Sequence, residues 1–114
     1  MHLEPAFVGM ELYDEEGSYG IEYCVDITDQ LPPDRDRRQK GPHYLAFMQS
    51  ASGTWIVEII FGRLNRGMLR CSLAEASLQP RFTHSAIHQL QNSGINSDQF
   101  TSIVLKACAL VHLR

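Results

Sequence analysis

Residues 54–61 read Thr-Trp-Ile-Val-Glu-Ile-Ile-Phe, and the fold turns on whether that run is strand or helix. Thr54, Ile56, Val57, Ile59 and Ile60 are β-branched. Such side chains lose rotamer freedom in a helix and pack well on a pleated surface. Turn-forming residues bracket the run, Ser50-Ala51-Ser52-Gly53 before it and Leu64-Asn65-Arg66-Gly67 after it. A helix starting at Thr54 and ending at Gly67 is the competing reading. The β-branched density and the flanking turn signals favour the strand. The run then sits in a three-strand meander, with Tyr44–Gln49 before it and Met68–Ala74 after it.

Working outward toward the N-terminus, Val8, Met10 and Leu12 alternate with Gly9, Glu11 and Tyr13. Asp14-Glu15-Glu16-Gly17-Ser18 supplies a turn, with a glycine free to take positive φ. Tyr19, Ile21, Tyr23, Val25 and Ile27 then alternate with Gly20, Glu22, Cys24 and Asp26. Period-two alternation predicts a hairpin with one buried face and one acidic wet face, Ile21, Tyr23 and Val25 pointing to the core. Residues 28–43 hold three of the five prolines and many charges. They read as a long, mobile charged loop, because prolines interrupt a ladder and this composition buries little surface.

Toward the C-terminus the period changes. Thr83 is placed to cap a helix that runs through Asn92 and stops at Gly94. Ser97 reads as the cap of a last helix, with Asp98 in its first turn, where the macrodipole favours an acid. Phe100, Ile103, Val104, Ala107, Cys108 and Val111 recur at helical spacing, and Leu105, Ala109 and Leu110 extend the apolar girth. Strands first and helices last predict an α+β fold. The expected architecture is an antiparallel sheet of about five strands, an N-terminal hairpin plus the three-strand meander. The two C-terminal helices pack on one face of it. The 114 residues fit one domain with one core.

Composition narrows the function classes. The 44% hydrophobic and 20% charged fractions are those of an ordinary globular domain. Cys24, Cys71 and Cys108 are odd in number and scattered, which argues against a disulfide framework and for a cytoplasmic or nuclear home. No stretch reaches the roughly 20 apolar residues of a membrane span. The net charge of −3 hides a split: residues 1–34 carry nine acids and no Lys or Arg, while residues 35–114 carry all ten bases and four acids. Opposite blocks in one small domain suggest that the two regions lie side by side and neutralise each other.

The residues that carry chemistry form no catalytic signature. There is no phosphate-binding glycine loop, nucleophile elbow or calcium loop. His84 and His88 stand at i and i+4 and would need a third ligand such as His43, Cys24 or Cys71 to hold zinc. Two solvated histidines on a helix flank is the simpler reading. Cys71 and Cys108 lie among apolar residues and read as core. No cofactor or metal is expected.

What remains is binding. A surface helix shows one apolar stripe, and the last helix shows apolar residues over most of its girth. A non-catalytic interaction and assembly domain is therefore expected, meeting a second copy of itself or a partner subunit through Phe100, Ile103, Leu105, Ala109 and Leu110. The alternative is a nucleic-acid-binding accessory protein. It would use Arg35, Arg37, Arg38 and Lys40 in one loop and Arg63, Arg66 and Arg70 around another, with Tyr44 and Trp55 to stack a base.

Overall fold

The computed structural model describes residues 1–15, 17–32 and 41–113. In chain order the strands are β1 (His2–Leu3), β2 (Glu11–Asp14), β3 (Gly17–Gly20), β4 (Tyr23–Asp26), β5 (His43–Gln49), β6 (Trp55–Phe61), β7 (Asn65–Leu73) and β8 (Pro80–Arg81). The helices are α1 (His84–Ser93) and α2 (Ser97–Leu110), and 3₁₀ turns cover Pro5–Phe7 and Thr28–Gln30. Among the described residues, β1-β4-β5-β6-β7-β8 form one antiparallel sheet, and β2-β3 form a separate two-stranded ribbon. The α+β class and the antiparallel sheet are as expected, while the strands outnumber the five the pattern predicted.

The run 54–61 is a strand from Trp55 to Phe61. Its pairing with β5 sets Tyr44 opposite Ile60, Leu45 opposite Ile59 and Phe47 opposite Val57. Every residue from Tyr44 to Met48 is buried, and so is every residue from Val57 to Ile60. Successive side chains of a strand point to opposite faces, so the middle of this sheet is covered on both. On one face Val25, Leu45, Phe47, Val57, Ile59, Leu69, Cys71 and Leu73 join Ala86 and Leu90 of α1 and Phe100, Ile103, Val104, Ala107 and Cys108 of α2 in the larger core. On the other face Cys24, Tyr44, Ala46, Met48 and Ile60 join Leu12 and Ile21 of the ribbon in a second, smaller core.

The hairpin expectation is corrected here. The nine-residue alternation from Tyr19 to Ile27 is two elements. Ile21 N–H still donates to Met10 O, at 2.8 Å, but Glu22 N–H donates to Phe47 O, at 2.8 Å. The chain changes partner between these two residues, from ribbon to sheet. Ile21 therefore faces the smaller core and Val25 the larger one. Cys24, on the nominally wet face, is buried, while Tyr23 is 36% exposed. The alternation is real, but it does not report which cover each side chain meets. The hairpin does not widen the sheet; it lies across it.

Both ends of the charged segment are tied together. Ile27 N–H donates to His43 O, at 2.9 Å, and His43 N–H donates to the Thr28 hydroxyl, at 2.9 Å. Thr28–Gln30 is a 3₁₀ turn and His43 already belongs to β5, so the segment is shorter than its composition implied. Residues 33–40, with Arg35, Arg37, Arg38 and Lys40, lie outside the described residues, as does the expectation of mobility placed on them.

The helix boundaries follow local chemistry. Thr83 Oγ1 accepts from Ala86 N–H, at 3.1 Å, and Gly94 closes α1 in the left-handed conformation at φ 69°, where a glycine carries no Cβ penalty. The cap of α2 is Asn96 rather than Ser97. Asn96 Oδ1 accepts from Gln99 N–H, at 2.8 Å, and Gln99 Oε1 accepts from Asn96 N–H, at 3.1 Å. This reciprocal box satisfies two otherwise orphaned donors and moves Ser97 into the first turn. Among the described residues no helix is long and apolar enough to cross a membrane.

Candidate functional site

Among the described residues, the face of the sheet under the ribbon carries one buried charge. Glu58 sits in the middle of β6 and is 2% exposed. An ionised carboxylate in such a place needs cations and hydrogen bonds. β7 supplies them, because antiparallel pairing sets Arg70 directly opposite Glu58. Arg66 grips the carboxylate with two bonds, Nε to Oε2 at 2.6 Å and Nη2 to Oε1 at 2.8 Å, and Arg70 Nε lies 3.9 Å from Oε1. The bond to Glu58 holds the Arg66 guanidinium above its usual range. The same arginines reach the ribbon. Arg66 Nη1 donates to Tyr13 O, Arg70 Nη1 donates to Asp14 Oδ2, and the Arg70 guanidinium lies 4.6 Å from the centre of the Tyr19 ring. Asp14, Tyr19 and Arg70 also edge an open cleft of about 570 Å³ with Ser50, Ile56 and Ser72.

This seam changes the arginine reading. Arg63, Arg66 and Arg70 do not present one outward basic face. Arg66 and Arg70 are held by Glu58 and Asp14, while Arg63 is exposed at the β6–β7 turn. Tyr44 and Trp55 do not form a stacking pair. Tyr44 belongs to the ribbon-side core, and Trp55 packs against the helix-side core and lies tilted at 33° beside the Tyr23 ring, with centroids 5.8 Å apart. The expected neutralisation of the acidic N-terminal block is partly realised in the Asp14–Arg70 pair.

The last helix is divided more sharply than its composition implied. Phe100 and Ile103, two of the expected interface residues, are buried in the chain's own larger core with Val104, Ala107, Cys108 and Val111. They point at the sheet, and only an edge of Ile103 reaches the surface. Leu105, at 39%, and Leu110, at 37%, are exposed, and so is Ala109. At 100° per residue, Leu105 and Leu110 lie about 140° apart around the helix. They flank the exposed face instead of forming one stripe. Asp98, Ser102, Lys106 and Ala109 run between them, all exposed. Beside this row Gln30, Gln99 and Ile103 complete a groove of about 350 Å³ with Asp98, Ser102 and Lys106. Lys106 Nζ reaches Gln30 Oε1 across it, at 3.4 Å.

The thiols and imidazoles stand apart. All three cysteines are free and buried. Burial, helped by Glu4 and Asp26, pushes the Cys24 thiol up to about 12, and burial pushes Cys71 up to about 11 and raises Cys108. A nucleophilic cysteine needs the opposite shift. Cys24 lies on the face of the sheet away from α1, and Cys71 is buried in the helix-side core while His84 and His88 are exposed on α1. His43 stacks on Phe61, with centroids 5.8 Å apart. Among the described residues no group of three or more His, Cys, Asp or Glu is placed to hold a metal ion.

Sequence reasoning passed over Glu58, although a lone acid inside an apolar strand is itself a signal that a cation must come to it. It also passed over the row Asp98, Ser102 and Lys106, which is legible as an i, i+4, i+8 series. Compared with known proteins, the chain matches no protein family, no curated protein and no solved structure.

Proposed function

We propose that this chain is a non-catalytic interaction domain that associates with a second copy of itself through the outer face of α2. The observation that supports it is the exposure of Leu105 and Leu110 on a helix whose opposite face is fully committed to the core. Two half-exposed leucines framing a polar row are the arrangement of a small, mixed interface, in which apolar anchors are joined by charges that set the register. A single fourteen-residue helix offers less than the roughly 1,600 Å² of a standard interface. The association is therefore weak and concentration-dependent. The inward-facing thiols and the outward-facing histidines give no nucleophile–base pair, which favours binding over catalysis.

The nucleic-acid reading has less to rest on, because Arg66 and Arg70 already serve acids of the same chain. Light scattering across a concentration series tests the proposal. The wild-type chain is expected to gain mass with concentration. Leu105→Asp or Leu110→Asp should hold it at the monomer mass with the fold intact, whereas Val104→Asp, aimed at the core, should unfold it. A wild-type chain that stays monomeric at millimolar concentration overturns the proposal.

A further inference from the structure

We infer that two copies pair antiparallel through the ridge Asp98–Ser102–Lys106 of α2, each ridge lying in the groove beside the other. This rests on the self-association proposed above and adds its geometry. The three residues are spaced by four and form one of the i±4 ridges by which helices interlock. All three are exposed. The ridge has an acid at one end, a small hydroxyl at its centre and a base at the other.

That order is self-complementary only in one sense. A two-fold axis through Ser102 sets Asp98 of each copy beside Lys106 of the other, making two equivalent ion pairs. A parallel pairing sets acid on acid and base on base. Isologous contacts of this kind close at two copies. Ser102 at the crossing point lets the helix axes approach closely, and Ala109 adds no bulk along the same face. When i±4 ridges of both helices interdigitate, the axes cross at about −50° and the two ridges run side by side. The groove of about 350 Å³ along the ridge, floored by Ile103 and walled by Gln30 and Gln99, is the space this packing requires. Lys106 is held only loosely to its own chain, by a long 3.4 Å contact with Gln30 at the surface.

Sedimentation velocity on the full chain tests the pairing. Asp98→Lys and Lys106→Asp, taken singly, each turn two attractive pairs into two repulsive ones. Each is expected to weaken self-association about tenfold or more at low salt. Mixing the two variants in equal amounts should restore a dimer, now between unlike chains, and so should the double variant Asp98→Lys/Lys106→Asp. Ser102→Trp should block the crossing without touching charge. These positions are exposed, and circular dichroism checks that each variant folds. If the wild-type chain dimerises and the single charge reversals leave its dissociation constant unchanged, this geometry is wrong while self-association stands. If the wild-type chain is a monomer throughout, both fall.

Discussion

One sheet is covered twice, and the two covers are built differently. On the helix side α1 and α2 lay Ala86, Leu90, Phe100, Ile103, Val104, Ala107 and Cys108 on the strands, and this contact is chiefly apolar, with Gln89 Oε1 of α1 accepting from Arg70 N–H of β7 at 3.3 Å. On the ribbon side Leu12 and Ile21 bring a small apolar cluster, and the rest of the contact is the chain of Glu58, Arg66, Arg70 and Asp14 with Tyr19 beside it. A two-stranded ribbon is marginal by itself and has too little apolar area to hold by burial alone, at about 25 cal/mol per Å². Charge-assisted hydrogen bonds give it direction and register instead. The helix side is thus held by quantity of buried surface, and the ribbon side by a few specific bonds around one buried carboxylate.

The comparison is broken most forcefully by deletion on each side. Phe100→Ala removes a fully buried ring from the larger core and is expected to cost about 3–5 kcal/mol, lowering the whole denaturant transition. Leu12→Ala on the ribbon is expected at the low end of the range for such truncations, about 2 kcal/mol, because a light cover relaxes into the gap. Equal losses at the two positions, read from urea midpoints, would show that the ribbon is as firmly packed as the helices.

The ionic seam gives a sharper test. Glu58→Met leaves Arg66 without its carboxylate and leaves Arg70 with Asp14 alone. The arginines are 28% and 27% exposed, so water recovers part of the loss. The expected cost is about 2 kcal/mol, below the roughly 3–5 kcal/mol of a fully buried orphan charge. Replacing Glu58 and Arg66 together by Met should cost less than Glu58→Met alone, since no unpaired cation then faces the strand. A double variant worse than the single one, in thermal melts of both, would mean that the seam contributes more than it costs to desolvate.

The smallest effect concerns two of the three thiols, Cys24 under the ribbon and Cys71 under the helices. Cys24 and Cys71 are both raised from an ordinary 9.0, to about 12 and about 11. A raised folded-state pKa gives stability that is fully present below the unfolded value and is lost as pH rises through the folded one. Stability should therefore decline from about pH 9 upward. Cys24→Ala should flatten that limb further toward pH 12 than Cys71→Ala does. Under native conditions near neutrality a thiol reagent should label Cys24 before Cys71 or Cys108, because the lighter cover opens at lower free energy. Pulsed labelling read by mass spectrometry checks the order, and Glu58→Met should speed Cys24 alone.

Much of the fold was legible. The β-branched run at 54–61, the turn at Ser50–Gly53 and the Thr83 and Gly94 signals each map to the element they predict, because each is decided within a few residues of chain. The α2 cap was displaced by one residue because Asn96 and Gln99 form a reciprocal box that a preference for serine at 97 overlooks. The helix interface was legible only in part. Composition shows that Phe100, Ile103, Leu105, Ala109 and Leu110 are apolar. It cannot show that the first two are buried in the chain's own core.

By itself the sequence determined which segments extend and which coil, since backbone preference and side-chain period are local properties. It also determined that apolar residues at consecutive positions of β5 and β6 must be covered on both sides. Only the tertiary structure decided what covers them. The switch of hydrogen-bond partner between Ile21 and Glu22 turns an apparent long strand into ribbon and sheet. The meeting of Asp14 with Arg70, 56 positions apart, depends on that switch. Such contacts depend on how the whole chain closes around Glu58, and no window of sequence contains the cation that a buried carboxylate will find.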